Sequence, residues 1–221
     1  MTRKLEICTF NSLESNIVAS YGVSRIELCN NKNLGGTTPS KNEILESISS
    51  GIPIYPIIRP RGGDFNYSNS EIDSMIETID FCKENKCSGV VFGVLDKYEN
   101  VNISICKKLI QASGNMSLTF HRAFDETRDP YESMEKIIDL GFDRILTSGQ
   151  QDKAINGISL IYDLVEKSNG RVSIMPGSGI RSSNVELFLR NEEIADIHSS
   201  CYLKGVFSEI EIDNLIKKVI V

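Results

Sequence analysis

The chain has 221 residues, 40% of them hydrophobic, and a formal net charge of −6 from 24 basic and 30 acidic side chains. That length suits one larger domain spanning 1–221 with a sizeable core. The acidic balance argues against nucleic acid or an anionic membrane as partner, because both demand a basic footprint. No stretch approaches the ~18 apolar residues of a membrane span. The opening MTRKLEICTF lacks an apolar h-region and a small-residue cleavage site, so the expected location is cytoplasmic.

Eight β-rich runs follow one another: LEICTF (5–10), RIELCN (25–30), IPIYPIIR (52–59), GVVFGVL (89–95), MSLTFHRAF (116–124), DRILTS (143–148), RVSIMP (171–176) and DIHSS (196–200). Amphipathic segments with helix start signals lie between them. Ser40 leads KNEILESI, Ser68 leads NSEIDSMIETIDFCKENK, Asp129-Pro130 leads YESMEKIIDL and Ser182 leads SNVELFL. The last helical run is EIEIDNLIKKVI. Alternation of this kind means parallel strands joined by crossover helices. Eight units predict a (β/α)8 TIM-like barrel. A doubly wound open sheet is disfavoured because the first strand lacks a GxGxxG turn.

A barrel strand shows alternate side chains to the helices and to the lumen, and the helix-facing set must be apolar. Elimination then sends Glu6 and Cys8, Glu27 and Cys29, Tyr55, Ile57 and Arg59, Thr119 and His121, and Asp196, His198 and Ser200 inward. Buried charges need partners, so Glu6 and Glu27 are expected to pair with Arg59 or its neighbours. Pro60 should turn the chain outward, with Arg61 at the mouth, Gly62 and Gly63 allowing a sharp turn, and Asp64 capping or orienting Arg61.

The strings LEIC, RIELC, GGTTPS, IRPRGGDF, VVFGVLD, TFHRAFD, RILTSG and IMPGSGI, in this order, resemble the CutC family, the copper homeostasis proteins. The resemblance runs from the first strand to about His198. It implies a cytoplasmic TIM-like barrel that handles copper and assembles as a homodimer. It also implies that Cys8 and Cys29, in the paired ExC and ELC strings, are Cu(I) ligands. Soft thiolates suit that ion, and nearby arginines should lower the thiol pKa values. Two buried thiols serve equally well as small apolar fillers. Met175 is placed on the helix side and left out. The other four cysteines, Cys82, Cys87, Cys106 and Cys201, receive no role. Two departures stand out: PGSGI replaces the family's PGGGI, and the stretch after His198 is shorter than usual.

A second reading makes the chain an enzyme acting on a small anionic or phosphorylated metabolite. His121 would be the general acid or base, with its ordinary pKa near ~6.5. Arg59 and Arg61 would clamp the anion, with Asp64, Arg122 and Asp125 on neighbouring strand ends and Glu27 or Asp125 orienting the imidazole. Gly177 and Gly179 would offer loop amides where TIM barrels commonly hold phosphate, at a helix starting near Arg181-Ser182.

Overall fold

Helix starts and stops follow local chemistry closely. Ser40 accepts from the Glu43 amide, Ser68 and Glu71 form a reciprocal capping box, and Asp129 caps the helix that Pro130 opens. Gly51 and Gly141, at φ of +78° and +83°, turn the chain off two helix ends. The computed structural model describes residues 3–220, so the ends of the expected 1–221 unit, residues 1, 2 and 221, lie outside the described residues.

The strands are β1 (Lys4–Thr9), β2 (Arg25–Leu28), β3 (Ile54–Pro56), β4 (Gly89–Phe92), β5 (Ser117–Phe120), β6 (Arg144–Thr147), β7 (Ser173–Pro176) and β8 (Asp196–Ser199). The helices are α1 (Ser12–Ala19), α2 (Lys41–Ile48), α3 (Asn69–Glu84), α4 (Ile103–Ser113), α5 (Pro130–Asp139), α6 (Ile158–Ser168), α7 (Val185–Leu189) and α8 (Glu209–Val219). All pairings among these eight strands are parallel, and β1 pairs with both β2 and β8. This is the expected TIM-like (β/α)8 fold.

The ladder falls into two four-stranded arcs, β3-β2-β1-β8 and β4-β5-β6-β7. One seam is closed by the Ile57–Val91 bridge and a backbone hydrogen bond from Ser88 N to Ile54 O. At the other seam β7 and β8 are neighbours without ladder pairing, and Ser173 Oγ donates to Asp196 Oδ2 across it at 2.6 Å. Two strands stop earlier than their sequence runs. In the fifth run the His121 side chain takes the Ala123 amide and starts a 3-10 turn over Arg122–Glu126. In the third, only the Ile57 bridge continues past Pro56, before Arg59 binds loop carbonyls.

The outward residues Leu5, Ile7, Ile26, Leu28, Ile54, Ile58, Leu118, Phe120 and Ile197 join the helices in one core. Cys8, Cys29, Tyr55, Ile57 and Val91 form a separate cluster inside the barrel, so the parity argument holds for the first three strands. It fails for Met175. Ile174 is the residue facing the helices, and Met175 Sδ accepts from Arg25 Nη2 at 3.1 Å. Ser182 is also not a cap. Its amide and hydroxyl both bind Glu211 of α8, and α7 starts later, at Val185, as a five-residue turn. A short hairpin, β9 (Tyr202–Leu203) with β10 (Val206–Phe207), follows β8.

Candidate functional site

The strand register sets the lumen in layers. Cys8 lies level with Glu27, and Glu6 lies level with both Arg25 and His198. In the lower layer Glu6 Oε2 binds Arg25 Nε, and Arg25 Nη1 meets Asp196 Oδ1 at 2.8 Å. Tyr55 sits in the same layer, its ring centroid 5.7 Å from the Arg25 guanidinium and 5.2 Å from that of Arg144. Arg144 is in turn held by the hydroxyls of Thr119 and Ser117. Glu6 and Glu27 therefore do not pair with Arg59 as expected. Arg25, from the start of β2, is the counter-ion of Glu6, because it shares the inward parity of Glu27.

Above this floor four donors converge. Cys8 Sγ and Cys29 Sγ are 3.6 Å apart. One ligand atom each from Cys8, Glu27 and His198 lies within 4.8 Å of the others, and all three residues are buried. His198 Nδ1 contacts Glu6 Oε1 at 2.7 Å, while its Nε2 faces Glu27 Oε2 at 3.8 Å. Gly177 packs beside this ring: a Cβ there would fall 2.4 Å from Leu146 Cδ1 and 3.2 Å from His198 Cδ2.

The charges are strongly coupled. Burial opposes ionisation of Glu6, but Arg25 and His198 hold its pKa down to about 2. Burial also works against charged His198, yet hydrogen bonds to Cys8 and Glu6 and the nearby carboxylates raise it to about 10. Glu27 is raised by burial and by the charge of Glu6, against the pull of His198. The thiols move opposite to the expectation. The Cys29 contact and burial push Cys8 well up, and burial pushes Cys29 up to about 12. Nearby carboxylates raise both thiols further, and no arginine counts among their main influences.

A cavity of about 1010 Å³ opens above the donors, lined by Cys8, Cys29, Glu27 and His198 on one side and by Arg59, Phe65 and His121 on another. Arg59 binds the carbonyls of Leu34, Gly36 and Gly63 through its terminal nitrogens and lies over the Phe65 ring at 4.8 Å. No carboxylate is paired with it among the described residues. His121 Nδ1 accepts the Ala123 amide at 3.1 Å, so neither Glu27 nor Asp125 orients this ring. Burial and the Arg59 charge hold His121 down to about 3, far from the expected ~6.5, so it is neutral near pH 7.

The CutC family model matches residues 3–203. A family protein CutC of Parabacteroides distasonis is 45% identical over 217 residues, covering 97% of this chain and 88% of the relative. A crystal structure from Streptococcus agalactiae that carries the name copper homeostasis protein CutC superposes with a TM-score of 0.85 at 32% identity, covering 90% of this chain and 98% of the other. The chain belongs to the CutC family. The thiamine phosphate pyrophosphorylase of Pyrococcus furiosus, with a TM-score of 0.66 at 12% identity over 98% of this chain and 95% of its own, shares the fold alone.

In this CutC chain several candidate residues serve the scaffold. Arg61 does not line the cavity: its Nε meets Glu71 at 2.7 Å, and its other nitrogens bind Asp64 and the carbonyls of Gly62 and Asn66. Asp64 orients Arg61 as expected, from the rim. Asp125 accepts from Thr147 and Ser148 hydroxyls and from the Ser148 and Gln150 amides, and pairs with Arg122 at 2.7 Å. Arg122 still lines the mouth. The Gly177 amide is spent on Thr147 O, so it is not available to an anion. Gly179 lines the cavity, but the five-residue α7 behind it is too short to offer a helix dipole. His198 was legible as a lumen residue but not as a donor. Its nearness to Cys8 arises from the β1–β8 closure, which no local spacing announces.

Proposed function

We propose that this CutC-family chain is a cytoplasmic, homodimeric copper homeostasis protein that binds Cu(I) through Cys8 and Cys29, aided by His198. The Glu6–His198 contact carries the reading. Metal-ligating histidines commonly give one ring nitrogen to a carboxylate, which orients the other toward the ion. Here Glu6 takes Nδ1 and leaves Nε2 directed toward Cys8 and Glu27. Two sulfurs 3.6 Å apart are both within reach of one ion at bonds of about 2.3 Å. The donor chemistry agrees, since thiolates and imidazole suit a soft ion such as Cu(I). Copper is the cargo here, and the chain's own groups supply two thiols, an oriented imidazole and a carboxylate.

Anaerobic titration with Cu(I) tests this. About one ion per chain is expected, and its loss in the Cys8→Ser, Cys29→Ser double variant, with folding checked by circular dichroism. Unchanged stoichiometry in that variant would remove the proposal.

A further inference from the structure

Five buried side-chain polar atoms lack a hydrogen-bond partner among the described residues, and three of them are Arg59 Nε, Tyr67 Oη and His121 Nε2; Arg59 and His121 line the cavity, and Tyr67 lies behind it, beside Arg59. Orphaned buried donors cost stability and are rare in native proteins, so three together need an explanation. Arg59 is only 7% exposed and has carbonyls but no carboxylate, which leaves its positive charge uncompensated. Tyr67 is close enough to feel that charge, yet no well-directed hydrogen bond joins the two. His121 accepts at Nδ1, so its proton sits on Nε2 and makes that atom a donor. The Phe65 ring covers the group: its centroid is 4.8 Å from the Arg59 guanidinium carbon and 5.0 Å from the His121 ring centre. Gly93 keeps His121 there, because a Cβ at that position would come within 2.8 Å of Nδ1.

We propose that the wall between the ends of β3 and β5 is an oxyanion site, taking a carboxylate or phosphate oxygen of a small organic ligand against Arg59 Nε, Tyr67 Oη and His121 Nε2, with the Phe65 ring turned aside. All three groups are donors, and one is a permanent cation, so an anionic oxygen satisfies them where a neutral or cationic group would not. A cavity of about 1010 Å³ is far larger than an ion needs and matches the upper range for organic ligands. The site stands on other residues than the thiol cluster and does not depend on copper.

Thermal denaturation of the reduced full chain, titrated separately with inorganic phosphate and with succinate at constant ionic strength, tests the site. A saturable rise in Tm is expected in at least one arm, and the responding arm names phosphoryl or carboxyl chemistry. Tyr67→Phe and His121→Phe each remove one orphaned donor and leave the carbonyl bonds of Arg59 intact. Tyr67→Phe should raise the Tm of the anion-free protein, since a buried unpaired hydroxyl is lost, and each variant should weaken anion binding about tenfold. The chain has two histidines, so the His121 Nε2–H resonance can be assigned by the His121→Phe variant and should move on anion addition. No saturable rise in either arm, unchanged midpoints in both variants, or a static His121 resonance during a saturable titration would each overturn the site.

Discussion

His198 Nδ1 stands 2.7 Å from Glu6 Oε1, and that contact decides which nitrogen of the imidazole faces the thiols. Glu6 is itself fully buried and held by Arg25, so the ring orientation is set from beneath the cavity. Glu6→Gln keeps the shape but removes the anchoring charge. Its Cu(I) affinity should fall by roughly 10–100-fold with the stoichiometry retained. Competition against a chromophoric Cu(I) chelator measures this, and wild-type affinity in the variant would refute the orienting role.

Metal capture should be strongly favoured by rising pH. Both thiols are held protonated by their surroundings, Cys29 up to about 12, so each thiolate bond to an ion must expel a proton. With two thiol protons and the Nε2 proton of His198 released, the apparent Cu(I) affinity should rise about a thousandfold per pH unit near neutrality, and about a hundredfold if only the thiols ligate. The same competition assay run between about pH 6 and 8 reports the slope. A flat profile would exclude thiolate ligation.

Stability should move the other way. His198 is raised from 6.5 to about 10, so its contribution is complete below about 6.5 and is lost as pH climbs toward 10. Buried Glu27 is shifted upward too, so its contribution also declines as pH rises, starting from above about 4.5. Glu6 is depressed from 4.5 to about 2, so its contribution holds above about 4.5 and disappears as pH drops toward 2. This cluster therefore stabilises the fold most between those limits. The wild-type Tm should fall from about pH 6 to about pH 9, and His198→Gln should flatten that decline. Equal slopes in the two proteins would show that His198 is not the group responsible.

Arg25 is the keystone charge of the floor. Removing it as Arg25→Met leaves Asp196 without a counter-ion and Glu6 with His198 alone, and breaking a buried pair this way typically costs about 3–5 kcal/mol. Urea unfolding should show that loss as a lower midpoint. A change within about 0.5 kcal/mol would mean the floor relaxes around water.

Gly89 tests the packing of the same floor without touching charge. A Cβ there would lie 2.1 Å from Tyr55 Cε1 and 2.5 Å from the Ser117 carbonyl oxygen, so the backbone as well as the ring would have to move. Gly89→Ala should cost about 1–3 kcal/mol by overpacking. Retention of wild-type stability on urea unfolding would show that Tyr55 is loosely held.

The barrel could be read from the sequence because alternation, caps and turn glycines are local signals. The inward set around Glu6, Cys8, Glu27 and Cys29 was also legible, since strict parity leaves polar side chains only one place to go. Partner choice was not. Arg59 looked like the counter-ion for two glutamates, but loop carbonyls from residues 34, 36 and 63 claim it, and carbonyls are invisible in a sequence. Arg25 could have been found by extending the parity of β2 back by one more step. His198 reaches the thiols only because the last strand closes on the first, a relation spanning 192 positions. Met175 was misassigned because its strand is only four residues long, too short to fix a phase unaided.

The two weakly stitched seams have a consequence for how the cavity fills. Cys8, Cys29, Glu27 and His198 all ride on the β3-β2-β1-β8 arc or its immediate extension, whereas the seams lie at that arc's two borders. A parting of strands at those borders would leave all four donors on one continuous ladder. Such a parting would widen the entrance while the spacing of sulfur and nitrogen stays fixed.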